Sequence, residues 1–445
     1  MTVNKSHSFV WLRLSRFITR PTGDQILKAG FILTAGSLFA SLFNYLFTLV
    51  IGRLLGPALF GEVVAIFSLA AIIGVPAGAL SMFMTRHSAS LLAANKLAEL
   101  RRVINLISRY SLLLGLSLLV IYFLFMPYLG GFLGVPLLTL TIFGLIIPAS
   151  LLLSVGSGVL LGIQDFLSFS VSGLIGASSK LILAVFLVWL GLAVNGVIGA
   201  LVLATLASYW YNKFRLAKKL PHTAGNFPRS ADQAPDFKSV WPSFSLAFWA
   251  LLLLALIGNL DIILAKHYLP AYWAGQYAGL SIAGKIILYG VGSFVTVMFP
   301  LVSASHSAGD GEERQHLLNS LRIISLLSFV AIAVFAAAPK LVVMILFGPK
   351  YLSIAPYLAV SGLAMYFVSL ATVLSNYFVA IHDRRFIPPL SLALIAQFFL
   401  IAIYHQTIAS IIWAEVFSMF LAALLLSLTY LYTMRQKTWS QATKN

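Results

Sequence analysis

Long apolar runs alternate with short polar gaps along this chain, and within each run hydrophobic residues follow one another continuously. The runs are long enough for a helix rising 1.5 Å per residue to cross a hydrocarbon core of about 30 Å. Twelve spans are predicted. The first six lie near Ala29–Gly52, Gly61–Met84, Leu106–Met126, Leu138–Gly162, Ser170–Gly191 and Gly196–Tyr211. The second six lie near Trp241–Ala265, Ala274–Leu301, Leu321–Ala337, Pro356–Ile381, Pro388–Tyr404 and Ile408–Met434. Membrane barrel strands read instead as alternating segments of about ten residues, so the pattern predicts an all-α polytopic membrane protein. From Tyr110 to Gln164 there is no Asp, Glu, Lys, Arg or His, and breaks at Met126-Pro127-Tyr128 and Gly130-Gly131 divide this stretch in two. Glycines and prolines inside spans, such as Gly74, Pro76, Gly78, Gly290 and Gly292, mark places where helices bend or pack closely.

The longest polar gap, Lys213 to Lys238, contains Pro221, Gly225, Pro228 and Pro235 and reads as a flexible linker between two groups of six spans. The expected organisation is an N-terminal segment 1–28, a six-helix bundle 29–218, a linker 219–238, a second bundle 239–434 and a tail 435–445. Within the first segment, Phe9–Arg20 places Arg13, Arg16 and Arg20 opposite Trp11, Leu14 and Ile18, the pattern of an amphipathic helix on a membrane surface. Ala29–Gly52 is too long for a signal-peptide core and lacks a convincing cleavage site, so it stays as the first span.

The two halves resemble each other in sequence. At an offset of 213, Arg53, Pro57, Ala58, Phe60, Ala65, Ser68 and Ala70 meet Lys266, Pro270, Ala271, Trp273, Ala278, Ser281 and Ala283. At 214, Phe132-Leu133-Gly134 meets Leu346-Phe347-Gly348, and at 218, Gly162-Ile163-Gln164-Asp165 meets Ala380-Ile381-His382-Asp383. Six spans before the linker put both halves into the membrane in the same direction. A parallel repeat of this kind is characteristic of transporters, with the substrate path between the halves.

Charge adds orientation. All but six of the 29 Lys and Arg residues fall in the gaps on one side of the membrane. Arg53, Lys266, Lys340 and Lys350 lie on the other side, and Lys180 and Lys285 lie inside spans. This asymmetry predicts an inner-membrane protein with both ends in the cytoplasm. A formal net charge of +17 would suggest nucleic acid in a soluble protein, but these cations flank spans and suit anionic membrane lipids better. The absence of cysteine excludes disulfides and thiolate metal sites, and the scattered histidines form no metal-spaced pair.

Gly52–Gly61, GRLLGPALFG, resembles the signature between the first two spans of polysaccharide transporters. These are the Wzx-type oligosaccharide flippases of the multidrug/oligosaccharidyl-lipid/polysaccharide exporter superfamily. Asp261-Ile262-Ile263-Leu264 followed by Ala274-Gly275-Gln276-Tyr277 is similar to a second-half pattern of that family, and Leu346–Tyr351 resembles its last third. The similarity runs from about residue 28 to 434. The resemblance implies translocation of a polyprenyl-pyrophosphate-linked oligosaccharide, with polysaccharide assembly proteins as partners, no cofactor and no catalytic residue. It also implies a central cavity lined by spans 1, 2, 7 and 8. The major facilitator superfamily shares six plus six spans, but its basic, glycine-rich signature is missing from Arg86–Arg102.

Charges inside the membrane need a reason, since a central Lys or Asp costs about 2.5–3.5 kcal/mol on insertion scales. Lys285 lies near the midplane of span 8, where it either attracts a pyrophosphate or pairs structurally with Asp261 or backbone carbonyls. Lys180, midway along span 5, is a second substrate candidate with snorkelling as the rival reading. Asp261 and Glu415 are candidates for coupling to a proton or sodium ion. Arg53 and Lys266 form either a basic vestibule or interfacial anchors, and Asn44 and Asn259 either line the cavity or bond between helices. Arg86, Arg101 and Arg102 are explained by topology. Two rival functions stay open. A multidrug or small-cation exporter would favour an acidic cavity, and a membrane glycan polymerase or ligase would present a large outer loop, whereas every outer gap here is short.

Overall fold

The structure, a computed structural model, describes residues 23–220, 237–308 and 312–442. The amphipathic segment at Phe9–Arg20 and most of the linker lie outside the described residues. Every regular element among the described residues is a helix. Among the described residues, nine helices are long and apolar enough to cross a membrane, and Val75–Ala93, Ala271–Ala308 and Ile387–Ile403 supply the remaining crossings. Large apolar side chains such as Leu113, Leu124, Phe125, Trp189, Leu326 and Phe399 stay exposed on the outside of the bundle, a surface that suits lipid and not water.

Spans 1 and 2 are one hydrogen-bonded run, Gly23–Ile73, that turns at Gly56. There φ is 71°, in the left-handed region that glycine occupies without strain, and Pro57 starts the next helix. Phe47 and Phe67, twenty residues apart, would lie about 30 Å apart on a straight helix. Their rings stack with centroids 5.6 Å apart, so the chain doubles back. Span 2 is interrupted at Gly74 and continues as Val75–Ala93, with Pro76 in its first turn. Spans 3 to 6 are Leu97–Leu133, Leu137–Gly162 with a break after Gly144, Phe166–Trp189 and Ala193–Lys219.

In the second half, span 7 consists of Phe237–Ile257 and Leu260–Tyr268, broken at Gly258-Asn259. Spans 8 and 9 are Ala271–Ala308 and Glu313–Ala337. A short helix, Pro339–Leu346, and a 3-10 segment, Pro349–Tyr357, lead into span 10 at Leu358–Ala380. Spans 11 and 12 are Ile387–Ile403 and Ile408–Ala442. Several helices extend past the expected spans, two of them into stretches read as breaks or gaps. Span 3 runs straight through Met126-Pro127-Tyr128 and ends at Gly134, and the gap expected from Lys213 is helical to Lys219. Hydropathy reports the thickness of lipid, whereas a helix persists until its hydrogen bonding is capped or broken.

The repeat reappears as geometry. Spans 2 and 4, 3 and 4, 4 and 6, 5 and 6, and 1 and 5 pack together in the first half, and 8 and 10, 9 and 10, 10 and 12, 11 and 12, and 7 and 11 do so in the second. Gln164 and His382 both adopt a left-handed conformation, φ 57° and 56°. The Asp165 and Asp383 amides that follow donate to the carbonyls of Leu160 and Phe378 at 2.8 and 2.9 Å, ending spans 4 and 10 in the same way. Gly134 and Gly348 likewise share a positive φ. The halves meet where the span 1–2 hairpin lies against spans 7 and 8 and where span 2 lies against span 7. The side of the membrane that holds the linker, with the turns at Asp165 and Asp383, is the linker side below; the other is the far side.

Candidate functional site

In the second half, the break at Gly258-Asn259 starts a new helix in mid-span and places Asp261 in its first turn, where exposed backbone N–H groups favour a carboxylate. Asp261 and Glu415 are both buried. The Tyr277 hydroxyl lies 3.1 Å from Asp261 Oδ2 and 2.9 Å from Glu415 Oε2, and the Ser281 hydroxyl donates to the same Asp261 oxygen at 3.0 Å. One hydroxyl hydrogen cannot serve two carboxylates. The second contact is a hydrogen bond only when that carboxyl carries its own hydrogen and donates to the tyrosine oxygen. The other two oxygens, Asp261 Oδ1 and Glu415 Oε1, are buried without a hydrogen-bond partner.

Lys285 adjoins this acid pair. It lies fourteen residues into span 8, roughly 21 Å along the helix axis, and is 7% exposed. Its ammonium donates to Asn259 Oδ1 at 3.4 Å and interacts electrostatically with both Asp261 and Glu415. The sequence therefore identified four members of this cluster, Asn259, Asp261, Lys285 and Glu415, and the structure brings them together from spans 7, 8 and 12. Tyr277 and Ser281 were missed. Their signal was present: Tyr277, Ser281 and Lys285 recur every four residues, on one face of span 8.

The first half holds a different arrangement. Lys180 donates to Asn44 Oδ1 at 2.5 Å and lies over the rings of Phe47 and Phe67, 4.4 and 5.9 Å from their centroids. No ion pair among the described residues involves Lys180 or Lys285, but no carboxyl among them interacts with Lys180 as Asp261 and Glu415 do with Lys285. Asn44 belongs to a polar stripe on span 1, with Thr34, Ser37, Ser41 and Thr48 at helical spacing; the first three and Asn44 are exposed and Thr48 is half-buried. Asn44 and Thr48 bond back to the carbonyls of Ala40 and Asn44, leaving Asn44 Oδ1 for the lysine.

The remaining cations sit at the two surfaces. On the far side, Arg53 donates to the carbonyls of Leu346 and Met344 at 3.3 and 3.4 Å and to that of Ile345. Lys266 is buried and interacts electrostatically with Glu62. On the linker side, Arg101 donates to the Leu220 carbonyl at 3.1 Å, Arg215 to Ser168 Oγ at 2.9 Å, and Lys219 pairs with Asp165 at 2.6 Å. Burial alone would raise the Asp165 carboxyl, but the bonds from Lys219 and Ser168 override it and hold the group below its ordinary value. No group of three or more His, Asp or Glu suited to a metal occurs among the described residues.

A sequence profile of polysaccharide biosynthesis proteins matches residues 50–356 of the chain. No curated protein matches it by sequence. Among solved structures, the chain is similar to an inward-facing multidrug resistance MATE family transporter of the MOP superfamily. The TM-score is 0.73 at 13% identity, covering 91% of this chain and 96% of that one. It is also similar to the lipid II flippase MurJ in an inward closed conformation, at TM-score 0.64 and 15% identity, covering 88% and 87%. A third likeness is to a MOP superfamily transporter from Pyrococcus furiosus, whose reversed pocket polarity suggests a different function. Its TM-score is 0.60 at 15% identity, covering 91% and 94%. At these identities the likeness establishes the fold.

Proposed function

The chain belongs to the polysaccharide biosynthesis protein family, and on that premise we propose that it is a flippase for a polyprenyl-pyrophosphate-linked oligosaccharide. It would work by alternating access in the cytoplasmic membrane, with both termini in the cytoplasm, the orientation that the cation asymmetry favours. The two six-span halves rock against each other while the polyprenyl tail stays in lipid.

The observation that carries this reading is Lys180. A lysine inside a span whose partners are a neutral amide and two ring faces keeps its positive charge uncompensated, at an insertion cost of about 2.5–3.5 kcal/mol. An arriving phosphate offsets that cost. The exposed hydroxyl and amide stripe on span 1 suits water and sugar hydroxyls, not acyl chains, and it passes directly beside this lysine. Among proteins of similar fold, MurJ is by name a lipid II flippase, so the fold is compatible with a lipid-linked substrate.

Lys285 takes a different role in this reading. With two carboxyls within electrostatic reach, it is a counter-charge that sets the state of the acid pair, while Asp261 and Glu415, bridged by Tyr277, exchange the coupling proton or sodium ion. The same acid pair favours a second reading, export of a drug or small cation, and one protein of similar fold is by name a multidrug resistance transporter. The two readings separate on the lysines. In proteoliposomes loaded with fluorescent lipid-linked glycan, Lys180→Ala should slow flipping about ten- to hundredfold, the equivalent of one charge-assisted contact. Lys180→Arg should retain part of the rate. Unchanged flipping by Lys180→Ala at equal incorporation sinks the assignment.

A further inference from the structure

At the far side the two halves hold each other by a reciprocal contact that no sequence motif announces. Arg53, at the end of span 1, crosses to the second half and donates to the Leu346, Ile345 and Met344 carbonyls at the C-terminus of the Pro339–Leu346 helix. His267, at the end of span 7, crosses the other way. Its Nδ1 lies 2.8 Å from the carbonyl of Phe132, in the last turn of span 3, and its ring stacks on Phe132 with centroids 3.9 Å apart and an interplanar angle of 8°.

These contacts are related by the internal repeat. Phe132 and Leu346 are partners at offset 214, and His267 is the neighbour of Lys266, the partner of Arg53 at offset 213. Each half thus extends a donor from the end of its first span to an equivalent helix end in the other half. Carbonyls in the last turn of a helix have no partner within it and carry the negative end of its dipole, so a cationic or N–H donor is favoured there. Between the arms the backbones themselves touch. A Cβ on Gly61 would come within 2.9 Å of Gly275, and one on Gly275 would land on the Pro57 carbonyl, so nothing larger than glycine lets this surface close. Phe60 packs on Phe347 and Tyr351 of the opposite half at 5.8 and 6.1 Å, and the Tyr351 hydroxyl donates to the Gly52 carbonyl at 3.1 Å.

We propose that Arg53 and His267 are the two arms of one latch that holds the far side closed, each gripping the repeat-related helix end of the other half, with Gly61 and Gly275 as its seat. Both acceptors are backbone carbonyls, so the latch is released by movement of the helix ends as units, not by changes in particular side chains. Arg53 then belongs to the gate and not to a substrate vestibule.

The chain has no cysteine, so spin labels can be placed without removing any native residue. Tyr128→Cys and Leu341→Cys put exposed labels on opposite halves of the far side, outside the latch. Double electron–electron resonance on the full-length protein in nanodiscs, without substrate, should give one dominant distance. Gly275→Leu, which blocks closure, should populate a longer one and so mark the open state. His267→Ala should raise the open-to-closed ratio about fivefold, the yield of one net hydrogen bond, Arg53→Ala about ten- to hundredfold, that of a charge-assisted contact, and the two should multiply in the double variant. If Arg53→Ala fails to fold, Arg53→Gln, which keeps a donor but not the charge, should give a smaller increase. Distributions for both alanine variants that superimpose on the parent, while Gly275→Leu shifts, overturn the latch. The readout needs no substrate, so it stands or falls apart from the flippase assignment.

Discussion

Replacing Tyr277 with phenylalanine removes one oxygen from a site that is otherwise left unchanged in shape. That oxygen is the only group placed within hydrogen-bond distance of both buried carboxyls, at 3.1 and 2.9 Å, and its side chain is fully buried. Losing it leaves Glu415 with no hydrogen-bond partner among the described side chains, since its other oxygen already has none, while Asp261 keeps Ser281 and the Ile262 backbone amide. A hydrogen bond to an ionisable group contributes about 1.5–3 kcal/mol net, so Tyr277→Phe should cost about 2 kcal/mol of stability. Glu415→Gln should cost less, because the amide donates to the tyrosine oxygen without needing a carboxyl hydrogen. In the double variant the tyrosine bond is already absent, and the two effects should fall short of additive by about 1 kcal/mol. Denaturant unfolding in mixed micelles, followed by tryptophan fluorescence, completes the cycle. If Tyr277→Phe costs less than about 0.5 kcal/mol and the cycle is additive, the three groups do not share hydrogens and the coupling site is misassigned.

Two further outcomes follow from the packing and the surface charges. Asp165 is held below its ordinary value on folding, so its contribution is present at neutral pH and is lost as pH falls through that lowered value. Lys219 is 39% exposed, which discounts the pair to about 1 kcal/mol. Asp165→Asn should remove that amount at neutral pH and flatten the acid limb of a stability-against-pH profile; an unchanged acid limb would count against the pair. Span 4 approaches span 2 so closely that a Cβ on Gly158 would land on the Ser81 carbonyl, and in the other half one on Gly284 would land on the Ser361 hydroxyl. Gly158→Val should therefore destabilise the protein by about 1–3 kcal/mol through overpacking, read as a loss of thermal stability in detergent, whereas an unchanged melting profile would show that the spans separate freely.

How much of this was legible in the chain depended on whether a feature is local. Continuous apolar runs give the spans, and the turns at Gln164 and His382 confirm a repeat that the short matches only suggested, because both adopt the same strained backbone state. Asp261, Lys285, Lys180 and Glu415 stood out because an ionisable side chain in an apolar run is conspicuous whatever surrounds it. Their assignments did not stand out. Glu415 meets Tyr277 across 138 residues of sequence, and nothing near either one indicates the meeting. Lys285 read as the stronger substrate candidate because the resemblance implies that span 8 lines the cavity and span 5 lies farther from it; both lysines bond an asparagine oxygen, but Lys285 is within electrostatic reach of two carboxyls whereas Lys180 lies over two rings. Arg53 read as either a vestibule cation or an interfacial anchor, and its crossing to the other half stayed hidden because its acceptors are backbone carbonyls, which every residue has and no sequence pattern marks.

Lys180 and the polar stripe on span 1 are proposed to accept an anionic lipid-linked glycan. The direct measurement is transport by the purified protein in liposomes, comparing a fluorescent polyprenyl-pyrophosphate oligosaccharide with a lipophilic cation of similar size under the same ion gradient. Flipping of the glycan lipid, slowed about ten- to hundredfold by Lys180→Ala and collapsed by dissipating the gradient, with no flux of the cation, is the predicted result. Gradient-driven cation flux with the glycan lipid left in its original leaflet would contradict the account.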